Sequence, residues 1–175
     1  MSPSADARRP VVITGTGAIT PLGIGATTLV ERWIAGESGI VDGMSHCRDF
    51  EPRDFLSRQE IRRTDRFAQL ALAAVQEALL EADWGDQAPY PPDRVGCIVG
   101  TTVGGLATVE AQTLRLREMG PGAISALTVP MVMSNAAAGY MALRHGWLGP
   151  SFSVSSACAS GGQAIGVALR LIQSG

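Results

Sequence analysis

The alternation of apolar and polar positions predicts short buried strands separated by amphipathic helices. Apolar residues recur at positions i, i+3, i+4 and i+7 from Thr64 to Asp83, the spacing that places them on one face of an α-helix. Short apolar runs at Val11–Thr14, Val95–Val99 and Phe152–Ser156 are typical of strands buried in a sheet. Strands that alternate with helices in this way predict an α/β fold with a largely parallel sheet.

Further helices are predicted from their starting signals and from shorter apolar patterns. Thr28 with Glu31, and Ser57 with Glu60, have the spacing of capping boxes. The remaining helical patterns cover residues 106–118, 130–144 and 158–174. The last of these begins with small residues and becomes apolar towards its end, at Leu169, Leu171 and Ile172. This composition predicts a helix buried in the centre of the fold.

The composition narrows the class of protein. Apolar residues make up 46% of the 175 positions and charged residues 17%, which indicates one globular domain after a polar, flexible tail at residues 1–10. The net charge of -2 gives no reason to expect a nucleic acid or a membrane as partner. The three cysteines, Cys47, Cys97 and Cys158, contain no C-x-x-C pair, so neither a zinc site nor a disulfide framework is indicated. A reducing cytoplasm is the expected location.

Cys158 is the candidate for covalent chemistry. It follows the predicted strand at Phe152–Ser156, lies among small residues, and stands where the last helix is expected to begin. The partial positive charge and the unpaired N–H groups of a helix start stabilise a thiolate. The alternative is a buried structural cysteine, because free cysteines are often buried and a nucleophile needs a base partner.

Gly15–Thr20 is a second candidate site. Its sequence, G-T-G-A-I-T, follows a predicted strand and is similar to the glycine-rich fingerprint of dinucleotide-binding proteins. Thr20 replaces the third glycine, Pro21 follows, and no acidic residue stands at a suitable strand end about 20 residues further on. The pattern therefore favours a tight turn beside the helix that follows Cys158 over a nucleotide site.

Four stretches, matching in order and spacing from about Val11 to the end, identify a family resemblance. They are V-V-I-T-G-T-G-A-I-T-P-L-G at Val11–Gly23, S-R-Q-E-I-R-R-T-D-R-F at Ser57–Phe67, G-T-T-V-G-G-L at Gly100–Leu106 and G-P-S-F-S-V-S-S-A-C-A-S-G-G at Gly149–Gly162. With these stretches the chain resembles the β-ketoacyl-ACP synthases of the condensing-enzyme family, and within it the synthase II type.

The resemblance implies a thiolase-like α-β-α-β-α sandwich, of which the sequence covers part of the first half. Residues 11–175 correspond to the N-terminal portion of the synthase domain. The family's two catalytic histidines, its lysine and its second oxyanion-hole N–H donor belong to the other part. His46 and His145 lie outside the family's catalytic motifs. This chain alone is therefore expected to lack condensing activity, and the natural protein is expected to be longer.

The resemblance also implies a reaction and a set of site residues. The family carries out a decarboxylative Claisen condensation of an acyl group with malonyl carrier protein, without a metal or an organic cofactor. Cys158 matches the acyl-accepting nucleophile, and its backbone N–H matches one oxyanion donor. Val103 matches a residue that lines the acyl pocket. Thr128 matches one that reaches the pocket of the neighbouring subunit in the family's homodimer.

The segment that contains Arg62 and Arg63 is where the family docks the acidic acyl carrier protein. The alternative is an ordinary solvated helix start. A second basic pair that some members carry is replaced here by Gly122 and Ala123.

Two other functions remain open at this stage. The first is an inactive fragment or a non-catalytic scaffold subunit, which would explain the absence of the catalytic histidines. The second is a thiolase-type acyltransferase that acts on coenzyme A thioesters. The sequence does not separate fatty-acid from polyketide synthesis, nor does it give the acyl chain length.

Overall fold

The structure, a computed structural model, describes residues 10–85 and 87–175. In chain order the helices are α1 (Ala26–Ile34), α2 (Arg58–Arg63), α3 (Arg66–Glu81), α4 (Leu106–Met119), α5 (Thr128–Val132), α6 (Ala136–His145) and α7 (Ser160–Ser174). The strands are β1 (Ile19–Thr20), β2 (Gly23–Ile24), β3 (Ile40–Val41), β4 (Met44–Ser45), β5 (Cys97–Gly100) and β6 (Ser151–Val154). Single 3-10 turns lie at Pro52–Asp54, Pro92–Arg94, Pro121–Ala123 and Ala157–Ala159.

The pairing of β5 with β6 forms the parallel sheet that the sequence predicts. Its register pairs Cys97 with Ser151, Ile98 with Phe152, Val99 with Ser153 and Gly100 with Val154. Side chains alternate between the two faces of a strand, so Cys97 and Gly100 point to opposite sides. Cys97 contacts Met141 of α6, whereas Gly100 lies against the backbone of Ser160 in α7. Helices α6 and α7 therefore cover opposite faces of the sheet.

The hydrophobic core lies on the α6 side of the sheet. Helix α3 packs against α6, and both bury small or apolar residues towards β5. The buried cluster consists of Leu56, Leu72, Val95, Cys97, Ala138, Met141 and Trp147. The described layers are thus a helical layer, a sheet and the helix α7.

The predicted starts of the two helices before the core are confirmed in part. Ser57 and Glu60 form a complete capping box at the start of α2, as the sequence predicts. The capping box predicted for Thr28 and Glu31 is wrong, because α1 begins at Ala26 and has no side-chain cap of its own.

Two carboxylates of α3 hold the segment before α1. Glu77 accepts hydrogen bonds from the N–H groups of Ala18 and Ala26, each at 2.8 Å, and so caps α1 from a distant helix. Glu81 accepts both the N–H and the hydroxyl of Thr16 at 2.6 Å. This segment is therefore fixed by side chains about fifty or more residues away.

The strand predicted at Val11–Thr14 is absent from the structure. Val12 and Ile13 are 76% and 83% exposed, and no strand in residues 10–85 or 87–175 pairs with them. A strand needs hydrogen bonds from a neighbouring strand, and apolar composition alone does not supply them.

Two helix predictions also need correction. The helix predicted over residues 130–144 is divided into α5 and α6, because Met133 has an extended backbone with ψ of 133°. Helix α7 is not buried: Ile165, Leu169 and Ile172 are 70%, 37% and 55% exposed. Its contacts are made with β5 and β6 on one side, so only Ser160 and Ala164 are buried.

The tail predicted at residues 1–10 lies, except for Pro10, outside the described residues. Within the part of the chain that the structure describes, every helix is too short or too polar to cross a membrane.

Candidate active site

Cys158 lies on the connection between β6 and α7, as the sequence predicts. It occupies the middle of the 3-10 turn Ala157–Ala159, and the regular α-helix begins two residues later at Ser160. Its side chain is exposed, which excludes a buried structural cysteine. The thiol is therefore accessible at the entry to α7.

The backbone of this turn has an unusual conformation. Ala157 has a φ of 50°, in the left-handed region that residues with a Cβ rarely adopt. The buried hydroxyl of Ser160 accepts the N–H of Ser156 at 2.9 Å and donates to the carbonyl oxygen of Ala157 at 2.7 Å. One side chain thus closes the turn on both sides of the strained residue.

The sheet approaches this turn very closely. A Cβ on Gly100 would lie 2.3 Å from the carbonyl oxygen of Ser160, so only glycine fits at this position of β5. Beyond β5, Thr102 donates its hydroxyl to the Ala157 oxygen at 3.3 Å and accepts the hydroxyl of Ser155 at its own carbonyl, at 3.0 Å. The loop after β5 is therefore joined to the cysteine turn.

An open groove runs from Cys158 along α7. Gly162 and Gly166 line this groove one and two turns beyond the cysteine, and Arg170 lines it about one turn further on. Cys158 therefore lines an open groove on the surface of α7.

The structure does not bring the predicted pocket residues together with Cys158 in one groove. Val103 is 57% exposed in the loop between β5 and α4, next to Thr102. Thr128 begins α5 and lines a separate apolar groove, with Val109 and Leu116 of α4 on the other side. The loop of Val103 is thus tied to the cysteine turn, whereas Thr128 lies elsewhere.

The predicted docking residues lie at the surface. Arg62 and Arg63 occupy the last turn of α2, and both are exposed. The carbonyl oxygen of Arg63 accepts the hydroxyl of Tyr140 at 2.7 Å, which attaches the end of α2 to α6. The two guanidinium groups therefore extend from a fixed backbone.

The other thiols are poor nucleophiles. Burial raises the pKa of Cys97 to about 11, and its sulfur lies 3.1 Å from the sulfur of Met141. Burial also raises the pKa of Cys47, although the charge of Arg66 opposes this effect. Both thiols remain protonated near neutral pH.

Neither histidine lines the Cys158 groove. His145 stacks on Trp147 with ring centroids 4.7 Å apart, and burial followed by the charge of Arg144 lowers its pKa, although Glu60 opposes the shift. His46 is exposed in the loop after β4.

Gly15 and Gly17 contact α3. The sequence pattern predicts their turn beside α7, the helix that follows Cys158. A Cβ on Gly15 or Gly17 would lie within about 2 Å of a carbonyl oxygen of Ala78 or Ala74. The nearby N–H groups bind Glu77 and Glu81 and are not free to bind a phosphate. The predicted position of this stretch beside the helix of Cys158 is therefore wrong, because it packs against α3.

Three residues with structural roles have no sequence prediction. Ser160 and Thr102 act through hydroxyl contacts, and Asp65 joins two helix starts. A serine two residues after the cysteine, at a helix start, is the kind of signal that could have identified Ser160. The bonds from Thr102 to Ala157 and from Thr108 to Asp65 span more than forty residues in sequence and leave no local pattern.

The comparison with protein families decides the family. Residues 43–175 match the model described as "Beta-ketoacyl synthase, N-terminal domain". The chain belongs to the β-ketoacyl synthase family. The family resemblance found in the four sequence stretches is thereby confirmed.

Curated members of this family match almost the whole chain. The 3-oxoacyl-[acyl-carrier-protein] synthase 2 of Synechocystis sp. is 37% identical, over 96% of this chain and 43% of that protein. The enzyme of the same name from Staphylococcus aureus is 33% identical, over 94% of this chain and 42% of that protein. The β-ketoacyl synthase chain thus spans less than half the length of these relatives.

Solved ketosynthases have the same fold. A type II PKS acyl-carrier protein in complex with its ketosynthase bound to the hexaketide gives a TM-score of 0.80 at 26% identity, covering 94% of this chain and 46% of that one. The ishigamide ketosynthase/chain length factor gives 0.78 at 31% identity, covering 93% and 49%. The predicted thiolase-like sandwich, present in part, is confirmed.

Proposed function

We propose that this chain is the nucleophile-bearing portion of a condensing enzyme, a 3-oxoacyl-ACP synthase that elongates an acyl chain by two carbons. One observation carries the proposal. Among the three free thiols, Cys158 alone is exposed, and it lies on a strand-to-helix turn at the start of α7. The names of the curated relatives and of the solved ketosynthases support the same reaction.

The reaction begins with transfer of the acyl group. The Cys158 thiolate attacks the carbonyl carbon of the acyl thioester on the carrier protein, and the carbonyl oxygen becomes an oxyanion. The intermediate collapses, releases the carrier thiolate and leaves an acyl-cysteine. The backbone N–H of Cys158 donates to the oxyanion.

Condensation follows on the acyl-cysteine. The malonyl thioester loses carbon dioxide, and the resulting carbanion attacks the acyl carbonyl. Collapse expels the Cys158 thiolate and yields a 3-oxoacyl thioester on the second carrier protein. The decarboxylation requires histidines other than His46 and His145, which do not line the groove of Cys158.

Substrate and partner assignments belong to the same proposal. Val103 limits the acyl pocket, and Thr128 faces the pocket of a second copy in a homodimer. Arg62 and Arg63 dock the acidic carrier protein, which is consistent with their exposure at the end of α2. The three free cysteines support a cytoplasmic location for the reaction.

Mass spectrometry of the natural polypeptide after incubation with an acyl carrier protein thioester tests this function. We expect one acyl adduct on the wild type and on Cys47→Ala and Cys97→Ala, and none on Cys158→Ala. An adduct that survives in Cys158→Ala would exclude Cys158 as the nucleophile. Equal acylation by an acyl-coenzyme A would favour a thiolase-type reaction, and no acylation at all would indicate a scaffold role.

A further inference from the structure

The carbonyl oxygen of Ala157, the residue before Cys158, accepts more hydrogen bonds than any other atom of the turn. The oxygen of Ala157 accepts the N–H of Ser160, the Ser160 hydroxyl at 2.7 Å and the Thr102 hydroxyl at 3.3 Å. Ser160 is 3% exposed, so its bond is shielded from water, whereas Thr102 approaches from the exposed side. Two side chains from different elements thus converge on one peptide oxygen.

This oxygen belongs to the same peptide group as the N–H of Cys158. A peptide group is planar and trans, so its C=O and N–H point in opposite directions and turn together. Fixing the Ala157 oxygen therefore fixes the direction of the Cys158 N–H. Among the described residues, the backbone bonds of the turn use the N–H groups of Ala159 and Ser160 and leave that of Cys158 free.

Donors on a carbonyl oxygen also make the attached N–H a stronger donor. Hydrogen bonds in a chain polarise one another, and each additional bond strengthens its neighbour. Ala157 itself has a φ of 50°, and a residue in this rarely adopted conformation needs support from its surroundings to keep it. The hydroxyl of Ser160 meets both requirements at once.

We propose that Ser160, assisted by Thr102, is a positioning residue that aims and polarises the backbone N–H of Cys158 as an oxyanion donor. The inference rests on the proposed acyl transfer to Cys158. It adds to that mechanism two hydroxyl groups that act through the carbonyl oxygen of Ala157.

Two reactions of the same thiol separate this role from a merely structural one. Acylation by a thioester passes through an oxyanion, whereas alkylation by iodoacetamide displaces iodide and forms none. Both depend on the thiolate and on access to it. A defect in oxyanion stabilisation therefore slows acylation and leaves alkylation unchanged.

The variants are compared in the full natural polypeptide. We expect Ser160→Ala to slow acylation roughly tenfold, less than the ~10²–10³-fold lost with an entire oxyanion donor. Thr102→Val should slow it by about threefold, because its bond is longer and exposed. Thr102→Ser, which keeps the hydroxyl, should restore the rate. Alkylation of Cys158 should stay within about twofold of the wild type in each variant.

Ser153→Ala is the matched control. This change removes a half-buried hydroxyl of β6 that hydrogen-bonds to the hydroxyl of Ser134 at 3.2 Å and does not contact Ala157. Both reaction rates should remain at the wild-type value.

The outcomes distinguish this inference from the proposed function. If Ser160→Ala is acylated as fast as the wild type, or loses acylation and alkylation equally, the positioning role is wrong while the acyl transfer stands. If the wild type is alkylated at Cys158 but never acylated, the proposed function fails and this inference fails with it.

Discussion

The carboxylate of Asp65 accepts a hydrogen bond at 2.7 Å from the backbone N–H of Thr108, and this contact joins the starts of two helices. Its other oxygen accepts the N–H of Phe67 at 3.2 Å, so Asp65 is also the N-cap of α3. Asp65 is 4% exposed and Thr108 is 8% exposed. The start of α4, which follows the loop of Val103, is thereby fixed to the connection between α2 and α3.

Replacing Asp65 is expected to be strongly destabilising. Asp65→Ala removes one cap and leaves the buried Thr108 N–H without an acceptor, which together cost about 2–4 kcal/mol of the free energy of unfolding. Asp65→Asn should cost less, because an amide oxygen can still accept one of the two bonds. Urea unfolding of the natural polypeptide measures both.

Asp93→Ala is the control for this prediction, since Asp93 is an exposed aspartate in a 3-10 turn. Its free energy of unfolding should change by less than about 0.5 kcal/mol. If Asp65→Ala and Asp93→Ala lower the free energy of unfolding equally, the two hydrogen bonds that Asp65 accepts do not contribute to stability.

The sequence predicted those parts of the fold that local patterns determine. Helix α3 followed from its apolar spacing, and the capping box of Ser57 and Glu60 from four adjacent positions. The parallel strands β5 and β6 followed from short apolar runs. In each case the determining residues lie within one element.

The error in the N-terminal segment concerns contacts between distant residues. The run Val11–Thr14 is apolar, but its backbone is outside any strand, and the following segment is fixed by Glu77 and Glu81 of α3. The site divides in the same way. Cys158 was found from its own turn, whereas the bond from Thr102 to Ala157 spans 55 positions and no local pattern reveals it.

The unfolding free energy should fall in acid partly because of Glu60. Burial raises its pKa, but hydrogen bonds from Ser57 and the charge of Arg144, whose Nε lies 3.6 Å away, outweigh burial and lower it below 4.5. A carboxyl with a lowered folded pKa stabilises the fold above its unfolded pKa and loses this contribution as pH falls through the folded pKa. His145, with a pKa below 6.5, acts in the same direction at higher pH.

Glu60→Gln should therefore flatten the acid limb of the stability profile. Between pH 6 and pH 3.5 the variant should lose about 0.5–1 kcal/mol less than the wild type, a small difference because the side chains are partly in solvent. Glu110→Gln, on the exposed surface of α4, serves as the control. A steeper acid limb in Glu60→Gln would reverse the assigned sign.

Val103→Phe is expected to shorten the longest acyl chain that the enzyme accepts. If Val103 limits the acyl pocket, the larger ring removes volume that a packed wall cannot restore. Initial rates with acyl carrier proteins of increasing chain length should fall for long chains and stay nearly constant for short primers. Val12→Phe makes the same substitution at an exposed valine that is distant in sequence from Val103, and it controls for the added ring.

Equal losses across all chain lengths in Val103→Phe would contradict the pocket assignment. They would indicate instead that the loop tied to the cysteine turn through Thr102 has been displaced. The alkylation rate of Cys158 separates these results, because displacement of the turn slows it as well.

Reversing the charges of Arg62 and Arg63 should weaken recognition of the carrier protein. Exposed charges act mainly on the encounter rate and on its dependence on salt, and each exposed pair contributes only about 0–1 kcal/mol. Arg62→Glu with Arg63→Glu should therefore raise the KM for acyl carrier protein by about three- to tenfold. The difference should shrink at 1 M salt, where the Debye length is about 3 Å.

A small acyl thioester without the carrier protein provides the internal control, and its rate should not change. Arg115→Glu with Arg117→Glu makes the same change of charge at exposed positions near the end of α4, on a different helix from Arg62 and Arg63. Because only the local charge at α2 is proposed to meet the carrier, this second pair should leave its KM nearly unaltered. If the small thioester loses as much rate as the carrier substrate, Arg62 and Arg63 are structural. If both arginine pairs raise KM equally, the attraction comes from the overall charge and not from a docking site on α2.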